Sequence, residues 1–531
     1  MVGIDAAAVE TFLATPGAYG LTVDARVERI DTHISVVFLA GSNAYKLKKR
    51  VDLVYLDFTT LEARHDACKR ELKLNRRAAP ELYLDIVPVT ETGDGLVLGE
   101  SAGGTIVDWV VKMARFDQSD LLSQMAGRGE LTVAMVEKLA RQLEQFHKHA
   151  DVSQADGGQK RFLDILESNR KNFDPFIGQI YPPNLIERLS RLYAESLEAL
   201  SELIEERRTA GWVRHCHGDL HLNNVVCLNG VPVPFDCIEF NDEFARIDTL
   251  YDLAFLLMDL AFRAKQDQRL AAQANATLNA YLQAQTPDDL SETLMGLRAL
   301  PFFMSVRASV RSHVSARMSA RHNGDAPALE GVTLAYADFA EELLRATEAR
   351  LYAIGGLSGT GKTTIAKLSA PELGGVVGAV HLRTDIVRKR LAGVADADRL
   401  SSDAYTQEAS DMVYAEMARL AGIALDAGQT VICDAVFAKP TERAQIEQVA
   451  TNRSIPFAGI WLTAPANLLE SRVEQRSEAG TDASDADARI VRQQLSYDVG
   501  ELNWTVVEAA EEPETVLSSV RAALNMTSPA S

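Results

Sequence analysis

Three things are scarce in this sequence: cysteine, excess positive charge and long apolar segments. The five cysteines are scattered without a Cys-x-x-Cys pair, which argues against a disulfide framework or zinc site and favours a reducing compartment. The net charge of −20 argues against general binding of nucleic acid. The most apolar segment, residues 250–262, contains Asp252 and Asp259, so we expect a buried helix rather than a membrane span. Residues 1–13 show no signal peptide, and we predict a cytoplasmic protein without a membrane partner.

The length of the chain sets the number of domains. A single hydrophobic core stops growing at roughly 250–300 residues, so 531 residues predict at least two domains. We predict one domain over residues 1–347, with a small lobe over about 1–115 and a helical large lobe over about 116–347, and a second domain over 348–531. Residues 333–350 are helix-like, without the composition of a flexible linker. We therefore expect this helix to lead straight into the next strand and the two domains to dock on each other.

Apolar patterning and turn residues place the strands. In the first domain we predict a polar helix over about 60–79 and a hairpin around Asn229-Gly230, between Val225–Leu228 and Val231–Phe235. The other predicted strands there are 34–39, 44–48, 83–89, 95–98 and 106–113. In the second domain strands alternate with helices, which indicates a parallel sheet, and the predicted strands are 351–355, 380–382, 430–433, 457–462 and 504–507.

The clearest functional motif runs from Gly356 to Thr363 and matches G-x-x-x-x-G-K-[ST]. It follows a predicted strand and opens a predicted helix, as the motif requires. The glycines let backbone amides approach phosphate, and the helix N-terminus adds its positive end. We expect Lys362 to hold the β- and γ-phosphates and Thr363 to bind Mg²⁺. The predicted nucleotide site comprises Gly356, Ser358, Gly359, Thr360, Gly361, Lys362, Thr363 and Thr364.

The region after residue 348 resembles the small P-loop kinases, the group that includes gluconate kinase, chloramphenicol phosphotransferase and zeta toxins. The segments that carry this resemblance are the Gly356–Thr363 loop, Arg383–Arg388, Val431–Ala435 and Leu468–Gln494. The resemblance implies that Asp385 is the general base or positions the acceptor, that Arg388 holds the acceptor, and that Asp434 binds Mg²⁺ through water. It also implies that Arg472 and Arg476 lie at the lid and neutralise charge on the transferring phosphoryl group. A large AAA-type ATPase is disfavoured because the region is short.

A second motif lies in the first domain. The segment His217 to Asn224 matches H-x-D-x-x-x-x-N, with Asp219 at its centre, and Asp236 follows twelve residues after Asn224. Asn224 enters the predicted hairpin and Asp236 leaves it, so both side chains can reach one metal ion. Asp219 lies just before the hairpin, close enough to contact an acceptor hydroxyl.

This motif pair resembles the aminoglycoside phosphotransferase and choline kinase-like branch of the protein-kinase fold. The resemblance implies that Asp219 is the catalytic base and that Asn224 and Asp236 bind Mg²⁺. His217 would support the catalytic loop. No G-x-G-x-x-G precedes the strand 44–48, so the loop that covers the phosphates must be built differently from that of protein kinases.

The upstream lobe fits the same resemblance. The strand Ala44-Tyr-Lys-Leu-Lys48 is expected to carry the phosphate-binding lysine, with Glu71 as its helix partner. We prefer Lys48 to Lys46 because it lies three residues beyond Tyr45, although both lysines face the same side of the strand. Val110 to Met113 would form the hinge, with Met113 beside adenine.

Together these patterns predict an α+β, bilobal, protein-kinase-like domain followed by an α/β P-loop NTPase domain with a parallel sheet. The whole arrangement resembles proteins described as bifunctional aminoglycoside phosphotransferase/ATP-binding proteins. Our leading interpretation is a Mg²⁺-dependent kinase with two active sites, which transfers the γ-phosphoryl group of ATP to hydroxyl groups of small molecules such as sugars, amino sugars or aminoglycosides. GTP is not excluded by the motifs. One alternative is that only one domain is catalytic and the other regulates it by binding ATP; the second is a toxin-like or protein kinase.

A group of arginines in the large lobe is a further candidate site. Arg307, Arg311, Arg317 and Arg321 fall at helical spacings that keep them within about 120° of one another. One hypothesis is that this face binds an anionic substrate or the acidic partner domain. The alternative is an ordinary solvated or salt-bridged face.

Overall fold

The computed structural model describes residues 5–53, 56–320, 326–394, 398, 400, 402–479 and 488–524. The chain divides into two compact units. The first comprises Met1–Met135, Gln145–Arg161 and Glu205–Leu256, and the second comprises Val136–Glu144, Phe162–Ile204 and Leu257–Ser531. The predicted division at residue 347 differs from these units and stays a prediction. Within the described ranges, no helix combines the length and the apolar character that crossing a membrane requires.

The α-helices, in chain order, are α1 (Ala6–Leu13), α2 (Leu61–Asn75), α3 (Leu122–Arg128), α4 (Val133–Lys148), α5 (Gly158–Phe173), α6 (Pro183–Thr209), α7 (Asp242–Ala245), α8 (Thr249–Ala264), α9 (Arg269–Ala284), α10 (Pro287–Gly296), α11 (Leu300–Ser319), α12 (Ala326–Leu343), α13 (Lys362–Ser369), α14 (Thr384–Leu391), α15 (Gln407–Asp426), α16 (Pro440–Thr451), α17 (Ala466–Ala479), α18 (Ala488–Leu495) and α19 (Pro513–Ala523). The segment that we predicted to be a buried helix, residues 250–262, lies within α8, where nearly every side chain is buried.

The strands of the first unit are β1 (Val27–Asp31), β2 (Ser35–Ala40), β3 (Asn43–Lys48), β4 (Asp52–Leu53), β5 (Leu56–Asp57), β6 (Tyr83–Thr92), β7 (Gly95–Leu98), β8 (Thr105–Ala114), β9 (Val213–His215), β10 (Val225–Leu228), β11 (Val231–Pro234) and β12 (Arg246–Asp248). The main sheet has six antiparallel strands in the order β1-β2-β3-β8-β6-β7.

The six-stranded sheet buries both of its faces. On one face Phe38 and Tyr45 pack in a cluster with Val9 and Leu13 of α1. On the other face Ala44 and Met113 join a second cluster, to which α2 contributes. The predicted polar helix is α2; it begins after Thr60, whose hydroxyl accepts a hydrogen bond from the backbone N–H of Ala63 and so caps the helix. This packing fixes α2 against the face of the sheet that carries the candidate lysines.

The second unit contains a five-stranded parallel sheet of β13 (Leu351–Gly356), β14 (Val380–Arg383), β15 (Val431–Asp434), β16 (Phe457–Thr463) and β17 (Thr505–Glu508), in the order β14-β15-β13-β16-β17. The prediction of five parallel strands is confirmed, with ends that differ by one residue. Strands of a parallel sheet are covered on both faces, so they form continuous apolar segments. β13 and β15 are buried at every position.

Two expectations for the helices need correction. α12 ends at Leu343 and residues 344–350 separate it from β13, so the helix does not lead straight into the strand. The four arginines do not form one solvated face, because Arg307 is buried on α11 whereas Arg317 is exposed and donates to Asn172 Oδ1. Arg311 is half-buried, with its guanidinium 6.0 Å from the ring centre of Tyr336. Arg321 lies outside the described residues.

Candidate active sites

The hairpin β10–β11 brings the predicted metal ligands of the first unit together. At the open end of the hairpin, Val225 pairs with Pro234. The next residue on each strand continues the pairing, since the backbone N–H of Phe235 donates to Asn224 O at 2.9 Å. Asn224 and Asp236 therefore meet at the open end of the hairpin, as the sequence predicted. Asp236 has a φ of +64°, a left-handed conformation that few residues other than glycine adopt and that Asp tolerates better than most.

The candidate base Asp219 and the candidate ligand Asn224 are in direct contact. Asn224 Nδ2 donates to both Asp219 Oδ2 and Asp219 O, each at 2.9 Å. Because these hydrogen bonds use the amide nitrogen of Asn224, its side-chain oxygen Oδ1 is the atom that could bind a cation. Asp219 is partly exposed, with 41% of its side chain accessible. His221, for which we predicted a structural role, places Nε2 3.5 Å from the same carboxylate oxygen.

Asp252 anchors the loop that carries the candidate base Asp219, a role that the sequence analysis missed. Its carboxylate accepts hydrogen bonds from the backbone N–H groups of His217 (3.0 Å) and Gly218 (2.8 Å) and lies 3.1 Å from His147 Nε2. His217 Nε2 in turn donates to Phe235 O at 2.9 Å, so the ring links the loop to the hairpin. This arrangement fits the predicted supporting role of His217. The available signal for Asp252 was an acidic residue inside an apolar helix, which we used only to argue against a membrane span.

The two lysines of β3 have different surroundings. Lys46 Nζ contacts Glu71 Oε1 at 2.7 Å and Asp236 Oδ1 at 2.5 Å. Lys48 Nζ contacts the other Glu71 oxygen at 2.6 Å and forms an ion pair with Glu239. The side chain of Lys48 is fully buried, whereas that of Lys46 is 10% exposed and meets the half-exposed Asp236.

The geometry favours Lys46 over Lys48 as the phosphate-binding lysine, contrary to our sequence-based preference. Lys46 is the lysine that contacts the candidate metal ligand Asp236, and it follows Ala44 by two residues, the spacing of the V-A-I-K strand of protein kinases. The preference for Lys48 rested on Tyr45, whose side chain lies on the opposite face of the sheet, in the cluster with α1. The predicted partner Glu71 contacts both lysines.

Burial and the charges of the two lysines act in opposite directions on the buried carboxylates of this network. Burial alone would raise the pKa of Glu71, but the charges of Lys46 and Lys48 outweigh it and hold that pKa below its usual value. At Glu239 burial dominates instead, and the pKa is raised although Lys48 opposes the shift. Glu239 is the third carboxylate around the two lysines, and sequence analysis did not identify it.

In the second unit the Gly356–Thr363 loop joins β13 to α13. Gly356, Gly359 and Gly361 have φ values of +140°, +87° and +85°, so the loop depends on conformations that other residues rarely adopt. A Cβ atom on Gly359 would lie 2.6 Å from Leu469 O. Lys362 Nζ donates to Leu357 O at 3.0 Å, which folds the side chain back over the loop. These glycines let the loop curve where phosphate would bind.

Thr363 and Asp434 provide a set of oxygen ligands at the carboxyl end of the sheet. Thr363 Oγ1 donates to Asp434 Oδ2 at 2.6 Å. His381 Nε2 and Arg383 Nε of β14 lie 3.5 Å and 3.7 Å from the same oxygen. Burial would raise the pKa of Asp434, but the neighbouring His381 and the charges of Arg383 and Lys362 lower it to about 2. Asp434 is therefore a carboxylate at neutral pH, the ligand type that Mg²⁺ prefers.

A cleft of about 940 Å³ opens beside this loop. The predicted residues Ser358 to Thr364, Asp385, Arg388, Asp434 and Arg472 all line it. Asp385, near the start of α14, has no hydrogen-bond or ion-pair partner among the described residues, so its carboxylate can receive an acceptor hydroxyl. Arg388 donates to Ala404 O at 2.6 Å, and its guanidinium lies 5.0 Å from the ring centre of Tyr405.

Two further predicted residues have more limited support. Arg472 donates to the backbone carbonyls of Ala509, Ala510 and Glu511 at 2.7 to 3.3 Å, so in this structure it ties α17 to the segment after β17. Its predicted action on the transferring phosphoryl group stays a prediction. The side chain of Arg476 lies outside the described part of the chain. Sequence analysis did not assign Gln494, although its Oε1 accepts the loop N–H of Ser358 at 2.7 Å.

Met113, the predicted neighbour of adenine, lies buried near the end of β8. Its Cα is paired with that of Ala44 on β3, two residues before Lys46. Met113 thus lies on the face of the sheet that carries the candidate lysine. Its contact with adenine stays a prediction.

Two regions of the chain match models of known protein families. Residues 56–290 match the model of the phosphotransferase enzyme family, and residues 351–498 match the model of an AAA domain. The second match is confined to the short region for which we disfavoured a large AAA-type ATPase. Uncharacterized proteins of Mycobacterium tuberculosis and Mycobacterium bovis are each 28% identical to the chain over 499 residues, which cover 92% of this chain and 94% of the relative. The similarity therefore runs through both regions.

Solved structures similar to the chain include kinases of both kinds. The gluconokinase from Sinorhizobium meliloti 1021 is similar at 19% identity with a TM-score of 0.24, over 34% of this chain and 94% of that chain. The Plasmodium vivax ethanolamine kinase is similar at 10% identity with a TM-score of 0.37, over 60% of this chain and 82% of that chain. The chain is an enzyme that transfers phosphate, in which a kinase-like domain that matches the model of the phosphotransferase enzyme family is followed by a P-loop kinase-like domain.

Proposed function

We propose that the protein is an ATP- and Mg²⁺-dependent phosphotransferase with two active sites, each of which transfers the γ-phosphoryl group to a hydroxyl group of a small molecule. The observation that carries the proposal is the same in both units. Each unit places a lysine, oxygen ligands suited to a cation and a further accessible carboxylate in one site. Such a set can position nucleotide and acceptor and stabilise charge, which is most of what phosphoryl transfer requires.

In the first unit we assign the acceptor side to Asp219. Its Oδ2 is held by Asn224 Nδ2, which directs the carboxylate, and Asp219 would accept the proton of the acceptor hydroxyl. Asp236 and the Asn224 amide oxygen would hold Mg²⁺, since both are oxygen donors at the open end of the hairpin. Lys46 would neutralise phosphate charge while Glu71 holds it in place. When bound, the cation would supply charge stabilisation for the phosphates.

In the second unit we assign the acceptor side to Asp385. It lines the cleft beside the phosphate-binding loop, and Arg388, one turn later on α14, lines the same cleft and would hold the acceptor. Thr363 Oγ1 and the Asp434 carboxylate would hold Mg²⁺, the carboxylate through water. Lys362 would leave Leu357 O and bind phosphate oxygens.

The regulatory alternative is less well supported. A domain that only senses ATP has no use for an unpaired carboxylate beside an acceptor position, and Asp385 is such a group. The protein-kinase alternative also has less support, because only a short segment separates Asp236 from α8, which leaves little room for a peptide-binding activation loop.

We would measure ADP release by the full chain with Mg·ATP and a panel of sugars, amino sugars, aminoglycosides and aromatic alcohols. The variants are Asp219→Ala, Lys362→Ala and Asp385→Asn, with Lys367→Ala on the exposed side of α13 as the matched lysine control. The proposal expects Asp219→Ala and Lys362→Ala to abolish different acceptor-dependent activities, and Asp385→Asn to abolish the same activity as Lys362→Ala. If one variant removes all turnover and the other only alters its rate, one domain regulates. If neither changes turnover, both assignments are wrong.

A further inference from the structure

The strand β14 is the edge strand of the parallel sheet, and α9 covers its outer side. An edge strand leaves backbone N–H and C=O groups without a neighbouring strand. Here two side-chain amides take that place. Asn279 Oδ1 accepts from the N–H of His381 at 2.7 Å, and Asn279 Nδ2 donates to Ala379 O at 3.1 Å. Asn275 Nδ2 donates to Val377 O at 2.9 Å and to Ala379 O at 3.0 Å.

Both asparagines are buried in the middle of a helix, where asparagine is unfavourable. Asn275 is 5% exposed and Asn279 is 7% exposed. Asparagine destabilises a helix at interior positions because its side chain competes for the backbone hydrogen bonds. The two are four residues apart and joined to each other, since Asn279 Nδ2 also donates to Asn275 Oδ1 at 3.1 Å. The cost of burying these two amides is offset by the hydrogen bonds that the pair makes to His381 of β14 and to Val377 and Ala379, just before the strand.

The same helix is tied to the acceptor side of the P-loop site. Arg390 of α14 donates through Nη2 to Leu282 O at 2.9 Å and to Gln283 O at 2.7 Å, two of the last carbonyls of α9. α14 also carries Asp385 and Arg388, which line the cleft. The helix α9 therefore contacts both β14 and α14.

One residue that α9 holds on β14 lies beside the candidate Mg²⁺ ligand, and a second such neighbour follows it on the strand. His381, whose N–H is bound by Asn279, places its imidazole 3.5 Å from Asp434 Oδ2. Arg383, two residues later on the same side of the strand, lies 3.7 Å from that oxygen. Asp434 accepts the Thr363 hydroxyl at the same atom. A displacement of β14 would therefore be transmitted to Asp434 through two side chains.

We propose that Asn279, supported by Asn275, is a positioning residue of the P-loop site, acting through β14, His381 and Arg383 on the carboxylate of Asp434. This inference rests on the function proposed for that site. α9 lies within residues 56–290, the part of the chain that matches the phosphotransferase enzyme family. The cation site of the P-loop region thus depends on a helix that belongs, by sequence, to the preceding domain.

The test is the Mg²⁺ dependence of nucleotide binding by the full chain. Fluorescent ADP would be titrated in Mg²⁺ and in EDTA, with Lys362→Ala defining the share of the signal that comes from the P-loop site. Replacements of residues that orient metal ligands typically cost 10- to 100-fold in metal affinity, so we expect Asn279→Ala to weaken Mg²⁺-dependent binding about tenfold or more. Binding in EDTA should be unchanged.

Asn169→Ala is the matched control, since Asn169 is a buried asparagine of α5 that contacts His313 rather than the sheet. It should leave the Mg²⁺ dependence unchanged. The proposal is overturned if Asn279→Ala, with an unfolding midpoint no lower than that of Asn169→Ala, binds nucleotide with the wild-type Mg²⁺ dependence. Equal losses in Mg²⁺ and in EDTA would also overturn it, as they indicate a purely structural role. If Lys362→Ala leaves binding unchanged, the proposed P-loop function itself is wrong.

Hydrogen exchange of the unmodified chain tests the proposal even if Asn279→Ala fails to fold. Adding Mg·ADP should slow exchange in residues 275–282 of α9 together with residues 379–383, and Lys362→Ala should remove both effects. Protection of residues 379–383 alone, with α9 unaffected, would contradict the proposal.

Discussion

The two candidate sites bring similar sets of side chains together by different means. In the P-loop region the site is made by backbone conformation, since three glycines with positive φ allow a contiguous loop to surround phosphate. In the first unit the site is made by ion pairs between residues far apart in the chain, such as Lys46 with Glu71 and Asp236. A site of the first kind can be recognised from a short motif. A site of the second kind depends on which buried side chains meet, and a motif cannot decide that.

The largest expected effect tests whether Lys48 is structural. Lys48→Met leaves Glu239, only 4% exposed in its side chain, without its cation. Removing one partner of a buried ion pair typically costs about 3–5 kcal/mol, so the free energy of unfolding of the first unit should fall by about that amount. Urea denaturation would measure it. The double variant Lys48→Met/Glu239→Gln should recover most of the loss, and a single-variant cost below about 1 kcal/mol would contradict the structural assignment.

Lys46→Met should lower the turnover of the first domain rather than its stability. Lys46 is partly exposed and faces Asp236, so its loss should remove phosphate binding while Lys48 still holds Glu71. We expect the acceptor-dependent turnover of the first domain to fall by about 10²–10³-fold, the cost of removing one preorganised charge or donor, with little change in stability. Steady-state kinetics and denaturation would be compared for the two variants. If Lys48→Met loses turnover and Lys46→Met does not, the sequence-based preference for Lys48 is right.

A pair of glycine variants tests the backbone-made site. Gly359→Ala places a Cβ 2.6 Å from Leu469 O and should displace the loop, and displacements of about 1 Å cost on the order of 100-fold. Gly361→Ala has an almost identical φ, but its Cβ meets nothing within 4 Å. It should carry only the backbone cost of about 1–2 kcal/mol, close to tenfold. Nucleotide affinity of the P-loop site would be measured for both. Equal effects would show that space around Gly359 is unimportant.

The smallest expected effect concerns pH and lies away from both sites. Burial, with the charge of Arg317, lowers the pKa of His313 from 6.5 to about 3, so the folded chain keeps this histidine neutral. The unfolded chain binds a proton below pH 6.5, so stability falls as pH drops from 6.5 towards 3, by about 2 kcal/mol at pH 5. His313→Gln should flatten that slope in urea denaturation of the second unit at pH 5 and 7. If His313→Gln leaves the pH dependence of stability unchanged, the assignment of that dependence to His313 is wrong.

Local patterns were sufficient for the fold and for the P-loop. All five parallel strands of the second unit could be predicted because each is a short apolar segment bounded by turns, and the phosphate-binding motif is contiguous. The hairpin that joins Asn224 and Asp236 was equally predictable from Asn229-Gly230. These features depend on neighbours in sequence.

The remaining features depend on distant contacts. Lys46 and Lys48 lie on the same side of one strand, and only the positions of Asp236 and Glu239 separate their roles. The resemblance to small P-loop kinases implied that Arg472 acts on phosphate, yet the carbonyls that it binds lie 37 to 39 residues away. Asp252 lies 35 and 34 residues from the amides that it anchors. No periodicity encodes such pairs, so sequence analysis alone could not find them.

The cover that α9 gives to β14 has a practical consequence for anyone who expresses the P-loop region by itself. A fragment starting at residue 348 would lack Asn275 and Asn279 and would present β14 as a bare edge, with the backbone groups of Ala379 and His381 open to pairing with another molecule. Unprotected edge strands are templates for aggregation. We expect such a fragment to be poorly soluble, and a fragment beginning before α9 to behave better.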